Sequence, residues 1–364
     1  MTPFELHHRP ILPQRRDCGI GICGAGGIVN DAHLPAYRKA GFNVVGIFDA
    51  RREAAERTAA RFEVPRVFDS LEQLVSDRRV EVVDIAVPAT ENPGIVETVA
   101  AAGRPMLIQK PLAEDYETAR RTVAVVDRHG VLAAVNQQMR WEPGVRATQD
   151  LMGRGWLGEV FNIAFLVFVD TPWHLWGWLM RKPTIDALYH SIHYLDAIRF
   201  LTGAEPAFVF CDGATRPGYE TGGETRLCLH LTFGDSQLRA TILTNHHASY
   251  GLEGQQSEFR VEGTEGAAIR RLGLLMNYPK GTPDGFRFAS RRIGERGWVS
   301  VEFAETWFPD AFIGPMASLM RAVSGEIERP ETDAHDNLKT LRLVFAAYES
   351  IRTRTVVNLK EFGA

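Results

Sequence analysis

The 364-residue chain has only four cysteines, Cys18, Cys23, Cys211 and Cys228. None forms a C-x-x-C pair and none has zinc-ligand spacing, so neither a disulfide framework nor a thiolate metal site is expected. They read as buried thiols of a reducing compartment. No apolar run approaches the ~20 residues of a membrane span. The opening MTPFELHHRPILPQRRD has no apolar stretch long enough for a signal peptide. A soluble, cytoplasmic protein is expected. A strong charge of one sign is also missing: the net charge is −4, with 24% charged residues. This argues against a nucleic-acid partner, which usually shows as a basic surface. There is no internal repeat and no low-complexity tract. What remains is 45% apolar residues, an ordinary globular balance, over a length suited to two domains with sizeable cores.

From Cys18 onward, apolar runs alternate with helical segments. CGIGICG, NVVGIFD (43–49), VEVVDIAV (80–87), PMLIQK (105–110) and VLAAVNQQ (131–138) read as strands; the last is counted as the sixth, which puts Lys110 at the end of the fifth. The near-continuous apolar character of VEVVDIAV suits a strand buried on both faces. RREAAERTAARF (51–62), IVETVAAAG and EDYETARRTVAVVDRHG read as helices, the last two with glycine stops. This order predicts an α/β Rossmann domain, a doubly wound parallel sheet, over residues 17–140. Residues 1–16, with His7 and His8, read as a loose, solvated arm.

After RWEPG (140–144) the pattern changes. FNIAFLVFVD (161–170), AFVFCDG, TRLCLHLTFG, QLRATILTN and SEFRVEGTEG read as strands of an open, mostly antiparallel sheet with one helix layer. This predicts an α+β domain over 141–335, to which the resemblance described below adds a substrate and oligomerisation role. Within it, ALYHSIHYLDAIRF (187–200) reads as one helix and residues 277–292 as a loop or hairpin excursion. LKTLRLVFAAYESIRT (338–353) reads as an amphipathic closing helix within a terminal segment, 336–364.

GAGGIV (24–29) follows the first strand and opens a helix. Gly24 suits a tight turn, Gly26 lets the backbone approach a pyrophosphate, and Gly27 and Ile28 lead into the helix N-terminus, where that anion sits. The third glycine of the dinucleotide fingerprint is replaced by Val29. Asp49 ends the second strand, where an acid can bind both ribose hydroxyls. Its carboxylate repels a 2′-phosphate, which favours NAD over NADP. Ala50 adjoins it. Arg51 and Arg52 could neutralise that phosphate, which keeps NADP open.

The chain resembles the glucose–fructose oxidoreductase, inositol dehydrogenase and rhizopine-catabolism (Gfo/Idh/MocA) family. The matching pieces are GAGGI, VPAT (87–90), AGRPMLIQKPLA (102–113), QMRWEP (138–143), HYLDAIRFLTG (193–203) and YESIRTRTVVNL, spread over residues 18–359. The resemblance implies an NAD(P)-dependent oxidoreductase acting on CH–OH groups of a sugar, glycoside or cyclitol. It also implies an open sheet that often forms the oligomer face, hence a homodimer or homotetramer. It maps the family's motif lysine onto Lys110 and its active-site histidine onto His193. It adds Pro88, Asn92, Gln109, Lys110 and Gln138 to the cofactor contacts. The family's glutamate before the lysine is Gln109 here. The aspartate many members carry four residues before the histidine is Tyr189, with Asp186 three residues further upstream.

Oxidising a secondary alcohol requires loss of the hydroxyl proton as well as the hydride. His193 can accept that proton near neutral pH, and the Lys110 ammonium favours alkoxide character on the oxygen. Tyr189 can orient His193 or bond a neighbouring hydroxyl, and His190 can do likewise or relay the proton. PWHLWGWL places Trp173, His174, Trp176 and Trp178 together, either to pack on sugar C–H faces or as an apolar plug. Arg140 and Trp141 at the domain junction are further candidates for substrate contact. A metal set of His190, His193 and Asp196 is set aside for want of another acidic or thiol ligand nearby; Asp196 suits a structural ion pair better. Two other functions stay open: a redox-assisted glycosidase that retains NAD, and a non-catalytic dinucleotide sensor.

Overall fold

Five short apolar runs form a parallel sheet: β1 (Gly19–Cys23), β2 (Asn43–Phe48), β3 (Val82–Ile85), β4 (Met106–Gln109) and β5 (Ala133–Asn136), in the order β2-β1-β3-β4-β5. In this computed structural model, which describes residues 5–294 and 297–363, the sheet belongs to the first of two units, Pro10–Trp141 with Trp307–Lys339. The strand count is one lower than expected. The five runs read as strands are the five strands of the sheet, and the count of six has no further run behind it. Lys110 therefore follows the fourth strand.

The connections are α1 (Leu34–Ala40), entered through a wide π-type turn at Val29–His33, then α2 (Arg52–Phe62), α3 (Leu71–Ser76), α4 (Asn92–Ala101) and α5 (Tyr116–His129). Ser70 and Asp115 cap α3 and α5, and Gly130 ends α5 in the left-handed region. A parallel sheet needs both faces covered. The late segment α9 (Ile313–Val323) supplies part of that cover, with Met316, Ala317, Leu319 and Met320 buried in the same core as Ile20, Val29 and Tyr37. Val135 N–H also donates to Thr332 O at 2.8 Å. Residues 307–335, expected in the second domain, thus belong to the first unit.

The second unit comprises Met1–Arg9, Glu142–Thr306 and Thr340–Ala364. Its sheet contains β6 (Val160–Phe168), β7 (Phe208–Ala214), β8 (Arg226–Thr232), β9 (Arg239–Asn245), β10 (Gln256–Gly263), β11 (Gly266–Arg271), β12 (Gly285–Ser290), β13 (Val299–Val301) and β14 (Val357–Asn358), in the order β13-β12-β11-β10-β6-β9-β8-β7-β14. All neighbours are antiparallel except β6 and β9. Alternate residues such as Phe165, Val209, Leu229 and Ile242 are fully buried, while Phe208 and Phe210 point outward. The helices α6 (Pro143–Gly153), α7 (Asp186–Tyr189) and α8 (Ile192–Thr202) also belong to this unit. The boundary between the units falls within α10 (Ala334–Thr353).

Residues 5–9 are not a loose arm. Leu6 is buried, His8 Nε2 lies 2.9 Å from Glu305 Oε2, and Arg154 donates to Glu5 O at 2.9 Å. Residues 1–4 of the expected arm lie outside the described residues. Three cysteines are buried as expected, but Cys228 is exposed on β8.

Candidate active site

Every cofactor-side candidate of the first unit lies at or beyond the carboxyl end of a strand: Gly24–Ile28 after β1, Asp49–Arg51 after β2, Pro88 and Asn92 after β3, Gln109 and Lys110 at the end of β4, Gln138 after β5. Open α/β sheets bind ligands at this edge, where the strand order reverses. Gly24 has φ +115°, and a Cβ there would stand 2.3 Å from Ala86 O. Only glycine fits. A Cβ on Gly26 would meet nothing within 4 Å. The protein itself therefore leaves open the space beside Gly26 that a pyrophosphate needs. Val29 is fully buried, and the helix takes its wide π-type turn from that residue.

Asp49 has a role within the protein itself. Its Oδ2 accepts from Ala25 N at 2.8 Å and its Oδ1 from Arg51 N at 2.8 Å, so it fastens the glycine turn to the end of β2. Asn92 is fully buried, and its amide donates to Pro111 O and Leu112 O at 3.3 and 3.0 Å. It braces the loop after Lys110. The Gln109 side chain accepts from Lys110 N at 3.2 Å. Lys110 is partly exposed, and loss of hydration lowers its ammonium to about 8. Gln138 is buried, whereas Pro88, Ala50 and Arg51 are exposed.

Two expected substrate contacts are spent on packing within the first unit. Arg140 donates to Glu331 O at 2.7 Å and to Asp336 at 2.5 Å. Trp141 is buried so closely against Gly314 that a Cβ there would enter the indole.

In the second unit, the expected single helix over 187–200 is broken. α7 ends at Tyr189, His190 adopts φ −121° and ψ −63°, and α8 begins at Ile192. Tyr189 and His193 therefore do not share one continuous helical face. The break is held by Asp186. Its Oδ1 accepts from Ser191 Oγ at 2.7 Å and its Oδ2 from Thr244 Oγ1. Glu224 secures the start of α7, accepting from Ala187 N at 3.0 Å and Tyr348 Oη at 2.7 Å. Burial raises Glu224 to about 7, against those hydrogen bonds.

Asp186 is fully buried beside two imidazoles: His190 Nδ1 at 3.7 Å from Oδ1 and His246 Nε2 at 3.4 Å from Oδ2. Burial opposes its charge, but the imidazoles and the Thr244 hydroxyl outweigh burial and bring Asp186 to about 2. A carboxylate four residues before a histidine is thus present, one step earlier than the Tyr189–His193 pair. His246, which follows β9, did not stand out in the sequence. A histidine after an alternating strand carries no local signal, and only the sheet brings it to α7. Its neighbour His247 is lowered to about 4, chiefly by burial.

His193 is 5% exposed at the start of α8. Asp196 accepts from Thr340 Oγ1 at 2.8 Å and lies 3.8 Å from Arg199, a structural role. Trp173 is buried against the His246 and His247 rings, at centroid distances of 5.5 and 6.4 Å. Trp178 is 46% exposed and meets Tyr189 edge-on, Trp176 is half-buried beside Tyr278, and His174 is exposed.

Residues 18–137 match the Gfo/Idh/MocA oxidoreductase family with its NAD-binding Rossmann fold, and residues 145–269 match the Gfo/Idh/MocA C-terminal domain. The chain is a Gfo/Idh/MocA oxidoreductase. Its Rossmann unit is accordingly of the NAD-binding kind. It is 28% identical to a D-apiose dehydrogenase of Paraburkholderia graminis over 93% of this chain and 89% of that protein. It is 24% identical to an inositol 2-dehydrogenase of Rhizobium meliloti over 93% and 98%. A crystal structure of an Agrobacterium radiobacter oxidoreductase in complex with NAD⁺, L-tartaric acid and magnesium shares the fold, with a TM-score of 0.79 and 20% identity over 94% of this chain and 99% of that one. Among the described residues of this Gfo/Idh/MocA protein, no helix is long and apolar enough to cross a membrane.

Proposed function

We propose that this oxidoreductase transfers a hydride between nicotinamide and a secondary alcohol of a sugar, glycoside or cyclitol, and prefers NAD to NADP. The observation that carries the reading is Lys110, an ammonium lowered toward neutrality at the carboxyl edge of the NAD-binding sheet. Its relatives named for apiose and inositol support the substrate class. Bound NAD supplies the hydride acceptor. His193 takes the hydroxyl proton, Lys110 stabilises the negative charge that develops on the oxygen, and Tyr189 bonds a neighbouring hydroxyl. Trp176 and His174 contact the substrate.

A second reading makes His190 the base, because the Asp186 carboxylate lies 3.7 Å from its Nδ1 and could orient the ring. A redox-assisted glycosidase would retain its NAD with no net turnover, and a sensor would bind NAD and oxidise nothing. The outward face of the second unit's sheet, bearing Phe208 and Phe210, is assigned to a second copy of the chain.

The test is a panel of pentoses, hexoses, glycosides and inositols with NAD or NADP, followed by absorbance of the reduced nicotinamide. Reduction of NAD by at least one polyol supports the assignment. Silence across the panel sinks the dehydrogenase reading, and NADP turnover at least as efficient as NAD sinks the cofactor preference.

A further inference from the structure

Asp186 is a fully buried carboxylate whose ion-pair partners among the described residues are both imidazoles, His190 and His246. One ligand atom from each of the three lies within 4.8 Å of the other two. The decisive atom is His246 Nε2. It is buried, has no hydrogen-bond partner, and stands 3.4 Å from Asp186 Oδ2. A charge-assisted N–H···O⁻ bond would close to about 2.7–2.9 Å. Donors bound at about 2.0–2.2 Å around a tetrahedral zinc ion are instead separated by about 3.3–3.6 Å. The two imidazole separations, 3.7 Å to Oδ1 and 3.4 Å to Oδ2, are both longer than such a bond, and one donor atom from each residue still falls within reach of a single ion.

The surroundings match those of a ligand set. His246 Nδ1 lies 2.7 Å from Thr171 Oγ1, which can fix the tautomer that leaves Nε2 as the free lone pair. Both Asp186 oxygens accept hydroxyl hydrogen bonds, from Ser191 and Thr244, and these fix the carboxylate plane. Trp173 packs over His246, and the two histidine rings meet edge to face at 4.5 Å.

We propose that Asp186, His190 and His246 form a binding site for a single divalent ion of the zinc class. Three protein donors of the His₂-carboxylate type leave a fourth tetrahedral position for water or a hydroxyl ligand. His190, the one member that is not fully buried, marks the side from which the ion enters. The site stands on the second unit alone and does not depend on the dehydrogenase reading.

The experiment uses the full chain, untagged and stripped with a chelator, titrated with cobalt(II) in the absence of NAD and any polyol. Uptake of about one equivalent, with the intense visible bands of tetrahedral cobalt(II), is expected, and zinc should displace it. His246→Ala and His190→Ala should each abolish those bands. Thr171→Val, which keeps the three donors, should weaken the affinity about 10–100-fold, the usual effect of losing an outer partner. Should His246→Ala fail to fold, His190→Ala, at the partly exposed member, carries the test. Wild-type protein that takes up no more cobalt than His190→Ala, or shows no visible bands, overturns the proposal and leaves a buried imidazolium–carboxylate group. The readout is metal uptake alone, so it is separable from any failure to oxidise a polyol.

Discussion

Lys110 is the residue at which stability and chemistry pull apart. Its ammonium is lowered from 10.5 to about 8 by lost hydration, so between those values the folded chain binds fewer protons than the unfolded one. Stability therefore rises as pH climbs from about 8 to 10.5, and below 8 the partly dehydrated charge costs stability. Lys110→Met should raise Tm at neutral pH and narrow that pH dependence, while lowering kcat by on the order of 10²–10⁴. As a cation, Lys110 should also impose an alkaline fall in kcat through about pH 8. A rate that instead climbs through pH 8 would assign proton abstraction to the lysine. Asp49 poses a similar double question, since it holds Ala25 N and is also the acid proposed to select NAD. Asp49→Ser should raise the NADP-to-NAD ratio of kcat/KM. If the ratio stays constant while NAD affinity falls, Asp49 is a turn anchor and not a selector. The roles of Lys110 and Asp49 could be framed from the sequence because each ends an apolar run. His246 could not, since its meaning comes only from register: β9 carries Thr244 and then His246 to Asp186.

Among elements, the glycine turn after β1 separates local need from ligand need. Gly24→Ala forces a side chain into positive φ and toward Ala86 O, so it should destabilise the Rossmann unit by several °C in Tm. Gly26→Ala meets no protein atom, so Tm should hold while the Kd for NAD rises at least tenfold, because the added methyl takes ligand space. A Gly26→Ala protein that binds NAD normally would place the pyrophosphate elsewhere. The parallel strands and most of their helices were legible because long apolar runs and glycine stops are strong signals. The break between α7 and α8 was not legible. Its apolar spacing is helical throughout, and what ends α7 is the grip on Asp186 by Ser191 and by Thr244 of a distant strand.

Across the whole molecule, the assignment of residues to units depends on which core receives an element. α9 is expected only as part of the second domain, and nothing in its own sequence says that it caps the parallel sheet. The function proposed above gives Lys110 and His193 complementary roles. If both act on the same hydroxyl, removing one leaves the other little to assist. Lys110→Ala and His193→Ala should each lower kcat by on the order of 10²–10⁴, and the double variant should be little worse than the poorer single one. Independent roles would instead multiply the two losses. NAD should still bind each single variant, because Gly24, Gly26 and Asp49 are unchanged. His190→Ala completes the comparison. Near-normal turnover in His193→Ala, together with a loss in His190→Ala that does not add to that of Lys110→Ala, would move the base one turn back along the chain, to the histidine that Asp186 already faces.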